Sequence, residues 1–173
     1  MTQTTVVRFG PEDWAVLRAL RLAALADAPE AFGTTAERER ARDEGEWRAR
    51  IGADSLFLAA YRDGVPVGLA GAVNRASIPS RDADRDWELV SMWVTPAARG
   101  SGAAQALAGA AVDAVRAAGG TRITLWIADD QPRAHAFYLR FGFTPSGRQG
   151  TFRRGDGSEF GETEMALDLA CPR

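Results

Sequence analysis

Two glycines lie in a short turn between an apolar strand and an alanine-rich helix near the middle of the chain. The turn follows Val94, contains Pro96 and ends with Gly100 and Gly102. Glycine lets backbone N–H groups converge on an anion, and the N-terminus of the following helix adds partial positive charge at the same place. The segment therefore predicts a site for a phosphate group.

Two common phosphate-binding loops do not fit this segment. A P-loop needs a Lys after its last glycine, and all 21 basic residues of this chain are Arg. A dinucleotide-binding loop needs three glycines after an early strand, with an acidic residue about 20 residues further on. Here only Gly100 and Gly102 are present, in mid-chain and after a meander of strands. A different phosphate-bearing ligand is indicated.

The composition is typical of one globular domain spanning residues 1–173. Hydrophobic residues make up 46% of the chain and charged residues 25%, and the net charge of −2 comes without a basic block, which argues against nucleic acid as a partner. No apolar run approaches about 18 residues and no signal peptide is evident, so we expect no membrane contact and a cytoplasmic location. The single Cys171 excludes an internal disulfide.

Alternating strand and helix patterns surround the turn. We predict helices over residues 11–26, Thr35–Ile51, Ser101–Ala118 and Pro132–Phe141, and strands over Thr4–Phe9, Leu56–Tyr61, Val65–Val73, Trp87–Thr95, Arg122–Ala128, a segment opening at Phe143, and Glu162–Leu169. Residues Gly147–Gly161 form a polar excursion. This order predicts an α/β (α+β) domain with a mixed central sheet.

Four motifs occur in a fixed order along the second half of the chain. Arg99–Ala104 matches (Q/R)-x-x-G-x-(G/A), and the apolar strand Glu88–Val94 precedes it; Gln131–Tyr138 is similar to N-x-x-A-x-x-x-Y, and Phe141–Phe143 carries a closing Gly-Phe. Together they resemble the GNAT superfamily of N-acetyltransferases over about Leu56 to Phe143. The departures are Gln131, where Asn is usual, and Ala104 in place of the last Gly, which the motif allows.

The resemblance implies a fold, a reaction and a ligand. The fold is a mixed, mostly antiparallel central sheet flanked by helices and splayed between strands 4 and 5. The reaction is transfer of an acetyl group from acetyl-CoA to a primary amine by direct attack, without a metal, with a small-molecule amine favoured over a peptide or protein amine. A homodimer is possible on the same ground.

Thirteen residues are expected at the cosubstrate by this resemblance. The backbone N–H groups of residues 100–105 would bind the CoA diphosphate, and the N–H near Val94 would polarise the thioester carbonyl and stabilise the developing oxyanion. The full set is Met92, Trp93, Val94, Arg99, Gly100, Ser101, Gly102, Ala103, Ala104, Gln105, Gln131, Ala134 and Phe137.

Glu88 and Tyr138 are the candidate catalytic residues. The resemblance implies that Glu88 takes the proton that an ammonium must lose before it attacks, and that Tyr138 protonates the departing thiolate. Their alternatives are a solvated carboxylate at a strand end and a half-buried aromatic side chain. His135 is interpreted as a surface or adenine contact, and Cys171 lacks the basic partner that a nucleophilic thiol needs.

Three variable segments are expected to enclose the acceptor amine. They are Pro29–Gly33 with Phe32, the loop Arg75–Asp86, and Gly147–Gly161. The alternative for each is a solvated surface loop. A second hypothesis for the whole chain is a non-catalytic acyl-CoA-binding sensor or interaction module, against which the presence of both Glu88 and Tyr138 argues.

Overall fold

Among residues 3–77 and 86–169, which a computed structural model describes, seven strands form one sheet. They are β1 (Thr4–Arg8), β2 (Ser55–Arg62), β3 (Val65–Asn74), β4 (Trp87–Val94), β5 (Arg122–Ala128), β6 (Thr144–Arg153) and β7 (Glu159–Asp168). Their spatial order is β1-β2-β3-β4-β5-β7-β6, and β4 and β5 are the one parallel pair in this described sheet. The predicted mixed, mostly antiparallel sheet is confirmed.

Helices cover both faces of the sheet. They are α1 (Trp14–Asp27), α2 (Ala36–Arg40), α3 (Glu44–Ala49), α4 (Ala103–Ala117) and α5 (Pro132–Phe141). Successive side chains of β2 alternate between two hydrophobic cores, because a strand points them to opposite faces: Leu56 and Leu58 pack with α4 and α5, whereas Phe57 packs with α1 and α3. None of the helices in the described ranges is long and apolar enough to span a membrane.

The sheet opens between β4 and β5. Their ladder has two paired positions, Trp87 with Ile123 and Glu88 with Thr124, after which the strands diverge. The splay that the resemblance implies is therefore present, and it leaves the later residues of β4 without a neighbouring strand on one side.

A buried ion pair crosses this seam. Arg75, just after β3, places Nη1 3.0 Å from Oε1 of Glu164 on β7, and both side chains are at most 3% exposed. The same Nη1 donates to Oγ1 of Thr124 on β5 at 3.3 Å, and the Ser146 hydroxyl of β6 donates to Glu164 Oε2 at 2.7 Å. The polar network joins the two parts of the sheet where the backbone ladder is shortest.

Two predicted elements were wrong in form. The helix predicted over Thr35–Ile51 is divided into α2 and α3, because Asp43 caps a new helix: its side chain accepts from Glu46 N at 2.9 Å, and the Glu46 side chain accepts from Asp43 N at 2.8 Å. The polar excursion predicted over Gly147–Gly161 is mostly the β6–β7 hairpin.

Within the loop predicted between Arg75 and Asp86, residues 78–85 lie outside the described residues, as does Cys171.

Candidate active site

A cavity of about 520 Å³ occupies the opening between β4 and β5. It passes through the sheet, so its lining comes from both faces. Six residues predicted from the sequence line it: Phe32, Glu88, Met92, Gln131, Ala134 and Tyr138. The other predicted residues do not line it: Trp93 and Val94 are in β4, residues 99–105 form the turn after β4 and the start of α4, and Phe137 is on α5.

The glycine turn presents backbone donors that the helix does not use. Gly102 is the N-cap of α4 with φ of +88°, and it has no side chain to cap the helix. The first helical bond runs from Ala106 N to Gly102 O at 3.0 Å, so the amides of residues 102–105 point out of the helix without an internal acceptor. The buried hydroxyl of Ser101 has no hydrogen-bond partner within the described part of the chain. These donors fit a diphosphate.

Arg99 holds the turn against α1. Its Nη2 pairs with Asp27 at the end of α1, and its Nε donates to Val94 O at 3.3 Å. The indole Nε1 of Trp93 donates to the same Asp27 carboxylate at 2.9 Å. The end of α1, the end of β4 and the glycine turn are thus fixed together by one carboxylate. A contact between Arg99 and phosphate stays a prediction.

The N–H of Val94 faces the opening. Thr95 N donates to Val67 O of β3 at 2.8 Å, and Val94 lies opposite Gly68. Because an antiparallel ladder alternates the direction of successive amides, the intervening N–H of Val94 points away from β3. On that side β5 has already separated from β4. A carbonyl oxygen lying along β4 in the opening could accept this hydrogen bond.

Tyr138 is held rigidly on the last turn of α5. Gly142, with φ of +116°, ends the helix and folds the chain back, so that Phe143 N donates to Tyr138 O at 3.0 Å. The Phe143 and Phe137 rings pack edge-on against the phenol, with centroids 5.5 and 5.0 Å away. Burial raises the pKa of Tyr138 above its usual value, so the phenol stays protonated at neutral pH.

Glu88 is 8% exposed and stands at the narrow end of the opening, beside Thr124 of β5. Its neighbours Trp87 and Leu89 point into the core under α4 and α5. Strand alternation therefore directs the Glu88 side chain to the opposite face, which carries α1. The cavity wall joins this carboxylate to Tyr138 on the other face.

Comparison with known proteins identifies the family of this chain. Residues 17–143 match the model of the acetyltransferase (GNAT) family. The chain belongs to this family. It is 32% identical over 135 residues to a mycothiol acetyltransferase from Beutenbergia cavernae, a match that covers 73% of this chain. The chain spans 40% of the length of that relative.

Solved structures share the GNAT fold over nearly the whole chain. The Salmonella typhimurium protein yncA, solved with its cofactor acetyl-CoA, superposes with a TM-score of 0.74 and 23% identity, covering 99% of this chain and 98% of that one. The ribosomal-protein-S18-alanine N-acetyltransferase from Escherichia coli gives a TM-score of 0.70 at 16% identity, covering 99% and 97%. These likenesses support the fold.

The α1-side half of the GNAT cavity contains residues that sequence reasoning missed. Arg21 of α1 donates through Nη1 to the Ser91 hydroxyl at 3.1 Å, and its guanidinium lies 4.5 Å from the centre of the Phe32 ring. Ser91 has φ of +58° and forms a bulge in β4. Trp126 and Glu162 in this half were also missed, whereas Phe152 and Arg153 belong to the segment Gly147–Gly161 that was expected at the acceptor. The sequence feature that could have pointed to Arg21 is its position between Leu20 and Leu22 on an otherwise mostly apolar helix.

Several remaining features carry no site. His135 is half-buried on α5 and lies outside the cavity lining. Across residues 3–77 and 86–169, no three His, Cys, Asp or Glu side chains are grouped to hold a metal ion.

A substitution at Gly102 tests the left-handed cap of the GNAT turn. We expect Gly102→Ala to lower the free energy of unfolding by about 1 kcal/mol, because a Cβ disfavours the left-handed region. Gly109→Ala in the same helix is the matched control: its added Cβ meets nothing within 4 Å and should raise that free energy by roughly 0.5–1 kcal/mol. Urea denaturation measures both, and equal shifts would contradict a strained cap.

Proposed function

We propose that this GNAT protein transfers an acetyl group from acetyl-CoA to a primary amine, most favourably a small-molecule amine. The observation that carries the proposal is one cavity, in the opening between β4 and β5, lined by both Glu88 and Tyr138. β4 runs from Glu88 to the glycine turn, so a carboxylate, a carbonyl-binding amide and a phosphate-binding turn follow one another along a single strand.

The chain offers a fitting surface for acetyl-CoA. The outward amides of residues 102–105 and the unpartnered Ser101 hydroxyl would hold the diphosphate. The exposed edge of β4 would bind the pantetheine amides, as an added strand would. When bound, acetyl-CoA supplies an activated acyl thioester.

Three groups of the chain then assist the transfer. The Val94 N–H donates a hydrogen bond to the acyl oxygen and favours charge developing there. The Glu88 carboxylate accepts a proton from the ammonium, directly or through water, which frees the nitrogen lone pair. The Tyr138 O–H donates a hydrogen bond to the departing sulfur, and the raised pKa of the phenol keeps that hydrogen in place at neutral pH.

Glu88→Gln tests the proposed base. We expect kcat/KM for an amine to fall about tenfold at pH 7, since a general base contributes at least that much when water can partly replace it. This loss in kcat/KM should become smaller as the pH approaches about 10, because the amine is then largely deprotonated in solution. Initial rates from pH 6 to about 10 measure this, with the exposed Glu44→Gln as the control. A loss independent of pH would contradict the assignment.

A thiol-release assay with acetyl-CoA over an amine panel tests the function as a whole. Release of CoA with at least one amine is expected. Saturable acetyl-CoA binding without release for any amine would instead identify a non-catalytic acyl-CoA-binding sensor. A cytoplasmic location and a homodimer are part of the proposal on sequence grounds alone.

A further inference from the structure

Three arginines surround one buried carboxylate beside the cavity. The Glu39 side chain is 3% exposed, and its oxygens lie 2.7 Å from Arg50 Nη1, 3.2 Å from Arg42 Nε and 3.8 Å from Arg21 Nε. Arg42 also reaches Glu46 on the surface. One buried carboxylate therefore serves three guanidinium groups, and the cluster carries an excess of positive charge.

Arg21 is the member of this cluster that lines the cavity. Its side chain is 10% exposed, and its Nε is buried without a hydrogen bond among the described residues. Nη1 donates to the Ser91 hydroxyl, and the guanidinium plane is supported by the Phe32 ring. Helix α1, the bulge of β4 and the segment before α2 thus fix a cation at the cavity wall.

The protein does not fully neutralise this cation. The pKa of Arg21 is lowered to about 10, first by burial, which the Glu39 charge only partly offsets, and further by the charges of Arg50 and Arg42. Burial removes water that would stabilise this cation, and the Glu39 carboxylate does not restore all of that stabilisation, so further negative charge beside Arg21 would be favourable. An anion in the cavity beside Arg21 would supply that charge and would be bound with correspondingly greater strength.

Negative groups line the same half of the cavity. Glu88 is three residues before Ser91 on β4, which corresponds to about 10 Å of strand, and Glu162 of β7 is part of the same wall. The cavity thus offers carboxylates and the buried guanidinium of Arg21 a short distance apart. The other arginine of this half, Arg153, is exposed and paired with Glu159. A small molecule with one positive and one negative end matches this charge pattern.

We infer that the acceptor is a small amino-carboxylate, whose carboxylate binds Arg21 while its amine faces Glu88. The inference rests on the proposed acetyl transfer and names its substrate class. Arg21 is then a specificity residue that contacts the acceptor away from the reacting nitrogen. The aromatic wall of Phe32, Trp126 and Phe152 would receive the rest of the molecule.

Matched acceptors test the inference in the wild-type protein. Thiol release is measured for L-phenylalanine, L-phenylalaninamide and phenethylamine, and for the corresponding sets built on leucine and methionine. In at least one set we expect kcat/KM for the amino acid to exceed that of its carboxamide about tenfold or more, the value of a charge-assisted hydrogen bond. The carboxamide has the more acidic ammonium and so more free amine, which works against this preference. Equal or reversed preference in every set overturns the inference.

Arg21→Met separates recognition from structure. We expect kcat/KM for the amino acid to fall about tenfold or more, and kcat/KM for the decarboxylated amine to stay within about threefold. Arg42→Met contacts the same Glu39 but lies outside the cavity lining, and it should leave both values unchanged. An equal loss for both acceptors in Arg21→Met would show a structural role and overturn the inference.

The two levels of the proposal fail differently. Thiol release with amines but without any carboxylate preference overturns the amino-carboxylate and leaves the acetyl transfer standing. Absence of release with every acceptor overturns the acetyl transfer, and the substrate class with it. If Arg21→Met does not fold, the comparison of matched acceptors in the wild-type protein still tests whether the acceptor carries a carboxylate.

Discussion

The Tyr138→Phe variant is expected to turn over about a hundred times more slowly than the wild type, while its Kd for acetyl-CoA stays within about twofold. The substitution removes one hydroxyl and keeps the ring that packs against Phe137 and Phe143. The lost group is the hydrogen donor to the departing sulfur, whose charge develops mainly in the transition state. An interaction of that kind affects kcat rather than ligand binding.

The second tyrosine of the chain is a matched control. Tyr61 lies on β2, outside the cavity lining, and Tyr61→Phe should leave kcat within about twofold. Steady-state rates and equilibrium binding of acetyl-CoA are measured for both variants. Because the pKa of Tyr138 is raised, the ratio of wild-type to variant rates should stay constant up to about pH 10. Unchanged turnover in Tyr138→Phe would remove this residue from the mechanism.

Arg75→Met should lower the free energy of unfolding by about 3 kcal/mol, because it leaves the Glu164 carboxylate buried without its main counter-charge. Thr124 also loses a donor, while Ser146 continues to bond the carboxylate. Urea denaturation followed by tryptophan fluorescence measures the loss. The exposed Arg116, paired with Asp113 on α4, is the control, and Arg116→Met should cost less than about 1 kcal/mol.

The double variant Arg75→Met/Glu164→Met separates a buried charge from a missing contact. Replacing both partners removes the uncompensated charge, so it should recover most of the stability lost in Arg75→Met. A double variant that is less stable than either single variant would mean that the pair contributes more attraction than its burial costs.

The bounds of two elements could be predicted correctly from local signals alone. The observed α5 has the predicted bounds Pro132–Phe141, because Pro suits the first turn of a helix and Gly142 supplies the left-handed cap that ends it. β5 also agrees, since its apolar residues alternate over Arg122–Ala128. In both cases the cause of the boundary lies within the element or next to it.

The bounds of other elements have causes that are harder to recognise in the sequence. The break between α2 and α3 comes from the Asp43–Glu46 capping box, whose pattern was present but occurs within a run of charged helix formers. β6 is an edge strand with most of its side chains exposed, so it lacks the apolar alternation that predicts a strand. β6 is held in the sheet by its pairing with β7, which places Phe152 opposite Phe160.

The acceptor half of the site was the least predictable part. Phe32, Glu88 and Tyr138 could be named from motifs or position, and all three line the cavity. Arg21 could not, because its role depends on Ser91, 70 residues away in the sequence. A hydrogen bond of that separation exists only after α1 has packed against β4.

The divergence of β4 and β5 also affects how long the folded protein persists. Within the described residues, the groups of β4 that face the opening beyond Glu88 have no paired strand. Backbone N–H and C=O groups need another partner, such as water or a ligand, in that position. Under the proposed function, the acyl donor bonds some of these groups only in the native state, and a ligand at a hundred times its Kd adds about 2.7 kcal/mol to the free energy of unfolding. The supply of substrate in the cell then sets part of the protein's own half-life.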